Sequence, residues 1–219
     1  MYLLATTLIP LTDVSVDSGF ITGYNMRIML AGSVQQFEKA GLVVPEENDD
    51  QDEPVAEAGT AIVERLHISL VDERGDGLHD ACDADSSDWV GVFDAFLMED
   101  GDHGFYQAIP ETEDCYQKDV LLIQDISLKP EYKGRGIEMA VAQRIIESVG
   151  SGCDLVVYLF GQYPDELEAL KPMGFNPGPV EGYAFINLNY SHSTVGELGF
   201  CKFHIVPELD ESLETVDAP

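Results

Sequence analysis

Between Asp119 and Phe160 the chain reads strand, glycine turn, helix, strand, and that order leaves few folds open. Asp119 to Leu128 carries apolar residues at both parities, Val120, Leu122, Ile126 and Leu128 at one and Leu121 and Ile123 at the other, as a strand covered on both faces requires. Ile137, Val141, Ile145 and Val149 then recur at helical spacing over 136–149. Gly150 and Gly152 end that helix before a second continuous apolar run, Asp154 to Phe160. Two buried strands joined by a helix form a β-α-β crossover, which sets them parallel in one sheet. The expected fold class is α/β (α+β), with a mixed central sheet flanked by helices.

Other elements extend this unit. Ala61 to Asp72 is rich in β-branched residues and bounded by Gly59 and Gly75-Asp76-Gly77, which predicts a strand. Asp85 is placed to cap a helix with Asp88 at its N3 position, and Trp89, Val92, Phe93, Phe96 and Leu97 give that helix one broad apolar face. A short helix from Pro164 to Met173, ended by Gly174, and strands Tyr183–Asn189 and Phe200–Val206 complete the pattern. Apolar runs such as Leu3–Leu11 and Met26–Leu30 predict short strands before residue 44. Pro45 to Pro54 holds six acidic residues, two prolines and no apolar residue, the composition of a linker.

At 219 residues and 45% hydrophobic, the chain is able to bury a substantial core. No apolar stretch of about 18 residues is present to span a bilayer. The opening Met1-Tyr2-Leu3-Leu4-Ala5 lacks a preceding basic residue and meets Pro10 before any small-residue cleavage site, so the expected location is cytoplasmic. Cys82, Cys115, Cys153 and Cys201 lie too far apart for a metal-gripping or redox pair and read as free thiols.

Charge narrows the function classes. Forty-one acidic residues against 11 basic ones give a net charge of −30, which repels phosphate backbones and anionic leaflets, so neither a nucleic-acid nor a membrane partner is expected. The acidity is open to three readings: a surface suited to high salt, attraction of a cationic substrate or basic partner, or imitation of nucleic acid. The acidic residues are spread along the chain without a phosphate-like spacing, which favours the first.

Against that background, Leu128-Lys129-Pro130-Glu131-Tyr132-Lys133-Gly134-Arg135-Gly136-Ile137 stands out between the buried strand and the helix. A helix N-terminus offers unpaired N–H groups and positive potential, and glycines let an oxyanion approach closely. Lys129, Lys133, Arg135 and Arg144 fall within 16 residues, where even spreading of the 11 basic residues would place about one. A glycine turn on a solvated loop is the plainer alternative.

Leu128 to Glu138 resembles the phosphate-binding signature of the GCN5-related N-acetyltransferase (GNAT) superfamily, Val-x-Pro-x-x-(Arg/Gln)-Gly-x-Gly-(Ile/Leu)-(Gly/Ala). Leu122 to Ser127 is similar to the end of that family's fourth strand, and Leu170-Lys171-Pro172-Met173-Gly174-Phe175 to the close of its fourth helix. The resemblance covers about 90 to 100 residues and implies a GNAT-like domain over 59–207. An N-terminal extension over 1–58, with an acidic loop at 45–58, and an acidic tail over 208–219 would flank it. It further implies acetyl-CoA as co-substrate, with Lys133, Gly134, Arg135, Gly136 and Ile137 around the pyrophosphate and the main chain of Ile126 and Leu128 on the pantetheine arm. The activity implied is acetyl transfer to an amine by a cytoplasmic enzyme, with a homodimer among the expectations. The alternative is a catalytically inactive GNAT-fold binding or regulatory protein with an acidic interaction surface.

Four positions depart from the family's pattern. Gln124 stands where a glutamate base is common, Leu170 where a tyrosine acid is common, Tyr163 at a place often held by asparagine, and Glu138 at a small-residue position. Asp125 is the candidate replacement base, and Tyr163 or Tyr158 the candidate phenol. No metal is expected. Asp83-x-Asp85-x-Ser87 opens like a calcium loop but continues with Asp88 and Asp94 where a glycine and a glutamate are needed, and the histidines stand isolated.

Overall fold

A computed structural model describes residues 2–5, 9–10, 19–44, 54–100, 103–106, 119–160, 167–168 and 170–188. Phe200–Val206, the tail 208–219 and most of the acidic linker lie outside these residues. The elements in order are β1 (Tyr2–Ala5), β2 (Ile9–Pro10), β3 (Ile21–Ala31), α1 (Val34–Lys39), β4 (Val55–Leu66), α2 (Ile68–Arg74), α3 (Leu78–Asp83), α4 (Ser87–Phe96), β5 (Leu97–Asp100) and β6 (His103–Tyr106). They continue with β7 (Asp119–Leu128), α5 (Ile137–Val149), β8 (Cys153–Leu159), β9 (Asn176–Pro177) and β10 (Tyr183–Asn187).

Among the described residues, eight strands form one mixed sheet in the order β1-β3-β4-β7-β8-β10-β9, with β2 on the edge of β3, and β5 and β6 make a separate hairpin. Every neighbour is antiparallel except β7 and β8, which run parallel and are joined through α5. The fold is thus mixed α/β with helices on both faces of the sheet.

The two faces of β7 feed two cores. Leu121 and Ile123 join Phe37 of α1 and the buried face of α5, including Ile137, Val141, Ile145 and Val149. Val120 and Leu122 join Ile68, Val71, Leu78, Trp89, Val92 and Phe96 from α2 to α4. Trp89, Phe96 and Phe37 are wholly buried and supply the largest apolar areas removed from water.

Several elements differ from the sequence reading, each for a local reason. The strand expected over Ala61–Asp72 begins earlier, at Val55, and stops at Leu66, because Ile68 and Val71 have helical spacing and turn one face of α2 into the core. The cap of α4 is Ser86 rather than Asp85: its Oγ accepts from the Trp89 N–H at 3.4 Å. The first 44 residues contribute a long strand, since β3 pairs with β4 from Ile21↔Leu66 to Ala31↔Val55. The boundary drawn between residues 58 and 59 therefore falls inside β4.

The departure with most consequence lies in β7. Its pairing with β4 steps from Val63↔Ile123 to Ile62↔Asp125, so Gln124 is an extra residue in β7 and makes a bulge. Beyond it the alternation is reset. Ile126 and Leu128 pack with Leu121 and Ile123 on the α5 side instead of with Val120 and Leu122.

The opposite end of β7 is tied electrostatically. Arg65 Nε donates to Asp119 Oδ2 at 2.7 Å, and its Nη1 donates to the Val149 carbonyl at 3.2 Å, where the C-terminus of α5 favours a cation. His67 Nδ1 lies 2.9 Å from the same Asp119 oxygen, and His67 Nε2 lies 2.9 Å from Thr22 Oγ1. This network joins β3, β4, β7 and α5 through one nearly buried carboxylate. Asp119→Asn keeps the shape and removes the charge, so it should lower the unfolding free energy by about 2–3 kcal/mol. Urea denaturation at neutral pH measures it, and an unchanged midpoint would show that the network contributes nothing net.

Candidate active site

The bulge and the glycine turn lie at the same end of β7. Parallel pairing with β8 runs from Asp119↔Cys153 to Ile123↔Tyr158 and goes no further. From Gln124 to Leu128 the edge of β7 that faces β8 thus has no ladder partner among the described residues. On its other edge β7 stays joined to β4 through Ala61↔Ile126 and Gly59↔Leu128. That closure needs Gly59, where a Cβ would lie 2.0 Å from the Ser127 carbonyl oxygen. The Lys129 N–H donates to the Ala58 carbonyl at 2.8 Å and delivers the chain into the turn.

Within the turn, Pro130–Tyr132 forms a 3-10 segment, and Gly134 and Gly136 follow at φ 68° and 74°. These left-handed conformations disfavour any Cβ, and Gly136 becomes the N-cap of α5 without a capping side chain. Ile137 is buried against the core, while Lys133 and Arg135 are exposed. The Gly134 N–H donates to Glu138 Oε1 at 3.1 Å, so a carboxylate of the chain itself already sits on one amide of the turn.

The basic residues singled out from the sequence mostly act as ties. Arg135 donates to the Ala40 and Gly41 carbonyls at the end of α1. Lys129 lies 3.9 Å from Glu57, which also binds Arg27, and Arg144 pairs with Glu147 on α5. The Arg27 hydrogen bond, helped by the charges of Arg27 and Lys129, holds the Glu57 carboxyl below its usual range against the opposing desolvation. The Lys133 side chain has no partner among the described residues, while its N–H donates to the Pro130 carbonyl at 3.3 Å.

At the bulge, Asp125 is exposed and is the cross-strand partner of Ile62, so both project from the same side of the sheet. Gln124 does not act as an acid or base; its Nε2 donates to Glu64 Oε2 at 2.9 Å. The indole Nε1 of Trp89 donates to the same Oε2 at 2.6 Å. Glu64, on β4, is half-buried. Desolvation, helped by the nearby charges of Asp85 and Asp88 and opposed by the two hydrogen bonds, pushes its carboxyl from 4.5 up to about 7.

Glu64 is the functional candidate that motif matching passes over. Its signal is an acidic residue between Ile62 and Leu66 on one face of a strand, and a bonding partner brought to it only by the bulge. Tyr163 lies outside the described residues. Tyr158 is buried edge-on against Phe175, and Leu170 is in the core. Cys82 and Cys153 are buried, with desolvation pushing their thiols up to about 12 and about 11, so neither is poised as a nucleophile. Among the described residues, no three His, Cys, Asp or Glu side chains converge as metal ligands, and no helix is long and apolar enough to cross a membrane.

No family model, curated protein or solved structure matches the chain.

The Glu64 carboxyl generates a stability test. In the unfolded chain it titrates at its ordinary 4.5, and in the folded chain at about 7. The stability contributed by the retained proton is complete in acid and is lost as pH rises through about 7. Glu64→Gln never ionises, so its stability relative to wild type should improve between about pH 5 and about pH 8. Denaturant melts at both pH values measure this, and an equal difference at the two would place the Glu64 titration near its ordinary value.

Proposed function

We propose that the protein is a GNAT-type, acyl-CoA-dependent N-acyltransferase that moves an acetyl group from acetyl-CoA to an amine. The observation that carries this reading is the fork, where two parallel strands part at a bulge and the freed edge of β7 leads within a few residues to a glycine turn at a helix N-terminus. An extended pantetheine arm suits such an edge, because its amides take the main-chain bonds that a neighbouring strand would otherwise make. Ile126 and Leu128 would supply those bonds, and the amides of Lys133, Gly134, Arg135, Gly136 and Ile137 would surround the pyrophosphate. In that arrangement the thioester carbonyl reaches the bulge, beside Gln124 and Asp125.

Two observations favour a second reading, a binding or regulatory protein that keeps the fold without the chemistry. Gln124 stands where a carboxylate is usual, and Glu138 occupies the Gly134 amide that a phosphate oxygen would otherwise take. Under either reading a donor must displace Glu138, which weakens binding without preventing it.

Acetyl-CoA should raise the Tm, because a ligand that binds the folded state stabilises it by mass action. Gly136→Glu should abolish that rise by setting a side chain and a charge into the turn. With amines present, release of free CoA thiol, followed with a thiol reagent, supports the transferase; a Tm rise without thiol release supports the binding protein. No rise in the wild type would overturn both uses of acetyl-CoA.

A further inference from the structure

We propose that Glu64 is the proton-accepting group of a subsite for a protonated amine, and that Trp89 and Gln124 are its positioning residues. The proposal deepens the acyltransfer reading and rests on it for the reaction that follows proton transfer.

Geometry carries the assignment. Both donors converge on Oε2, at 2.6 Å from the indole and 2.9 Å from the amide, which fixes the carboxyl plane. Oε1 receives no bond among the described residues. Gln124 is also the extra residue of the bulge, so the residue that parts β7 from β8 places its amide on Glu64. The register partner of Glu64 on β3 is Gly23, which presents no side chain beside it. Farther along the same face, Thr60, Ile62, Asp125 and Ser127 are exposed, which leaves a surface for an acceptor to lie on.

The surrounding charges select the acceptor. Asp85 and Asp88, at the start of α4, act on Glu64 as like charges, β7 offers the neutral Gln124, β3 offers glycine, and no cation among the described residues contributes. An arriving ammonium relieves that repulsion, whereas an anionic acceptor adds to it. The site therefore fits a primary alkylamine that arrives protonated.

The proton balance is simple. Glu64 takes one proton from R–NH3+, leaving R–NH2 with a free lone pair. The nitrogen attacks the thioester carbonyl, the C–N bond forms, and the C–S bond breaks. A second proton leaves the nitrogen and ends on the departing thiolate, giving the CoA thiol. Glu64 then releases its proton to solvent, so one ammonium and one thioester give one amide, one thiol and one proton.

Trp89 is the chain's single tryptophan, which makes the test direct. Its fluorescence should titrate with a midpoint of about 7 in the wild type and be flat in Glu64→Gln. Gln124→Leu, which removes a bond to the carboxylate, should move the midpoint up, and saturating butylamine should move it down. With acetyl-CoA, Glu64→Gln should lower kcat/KM for primary alkylamines by roughly two to four orders of magnitude. Its acetyl-CoA Tm rise should match that of the wild type. Glu64→Asp, which keeps the charge at shorter reach, should retain the titration and part of the turnover, and it serves if the glutamine variant does not fold. A titration that persists in Glu64→Gln, a midpoint indifferent to butylamine, or loss of turnover in Asp125→Asn but not in Glu64→Gln would overturn the proposal. Absence of acetyl-CoA binding would instead remove the acyltransfer reading, while the butylamine titration still decides the role of Glu64.

Discussion

β7 needs cover on both faces, and the rest of the molecule is arranged to provide it. A ten-residue strand with Val120 and Leu122 on one side and Leu121 and Ile123 on the other cannot sit at a solvent boundary without exposing apolar surface. Helices α2 to α4 close one side, and α1 and α5 close the other. Because β8 runs parallel to β7, the chain must cross from one end of the sheet to the other, and α5 both makes that crossing and supplies cover. The glycine turn is the start of the same crossing, so the fold and the candidate donor site share one stretch of chain.

Scarce cations have an outsized structural part in a chain of net charge −30. Arg27 and Lys129 meet on Glu57, Arg65 binds Asp119 and the end of α5, Arg135 closes the end of α1, and Lys171 meets Glu168. The exposed pairs among these contribute at most about 1 kcal/mol each, whereas the Arg65–Asp119 pair is nearly buried. Near the glycine turn these ties engage Lys129 and Arg135 and leave the Lys133 side chain unpaired among the described residues. What remains at the turn is chiefly backbone: N–H groups aligned by two left-handed glycines, one of them already occupied by Glu138.

The β-α-β unit was legible because its signal is local and periodic. Asp119–Leu128 matches β7 at both ends, the helix over 136–149 differs from α5 by one residue at its start, and the strand over 154–160 is shifted by one residue from β8 at both ends. The N-terminal half was harder to read. Ile68 and Val71 carry the β-branched composition of a strand, yet their i to i+3 spacing determines α2. β3 does alternate, with Asn25 and Arg27 exposed and Met26, Ile28 and Leu30 buried, but its pairing with β4 is a tertiary fact. The same limit applies to the site: Gln124 was visible as a departure from a motif and Asp125 as its candidate replacement, but Glu64 is 60 positions from Gln124 and meets it only across a bulge that no periodic pattern announces.

That bulge makes β7 a strand whose length matters more than its composition. Side chains in a strand change face with each residue, so one extra residue is an indivisible unit: losing it, or gaining another, exchanges the two faces of everything downstream. Without it, Ile126 and Leu128 would turn away from α5, Ser127 would enter the core, and the chain would leave the sheet on the wrong side to begin the crossover. Conservative replacements along Asp125–Leu128 are therefore a small perturbation, whereas a single-codon insertion or deletion there is a topological one. Lineages of this chain would be expected to vary in residue identity along β7 while keeping the residue count between Asp119 and Gly136 constant.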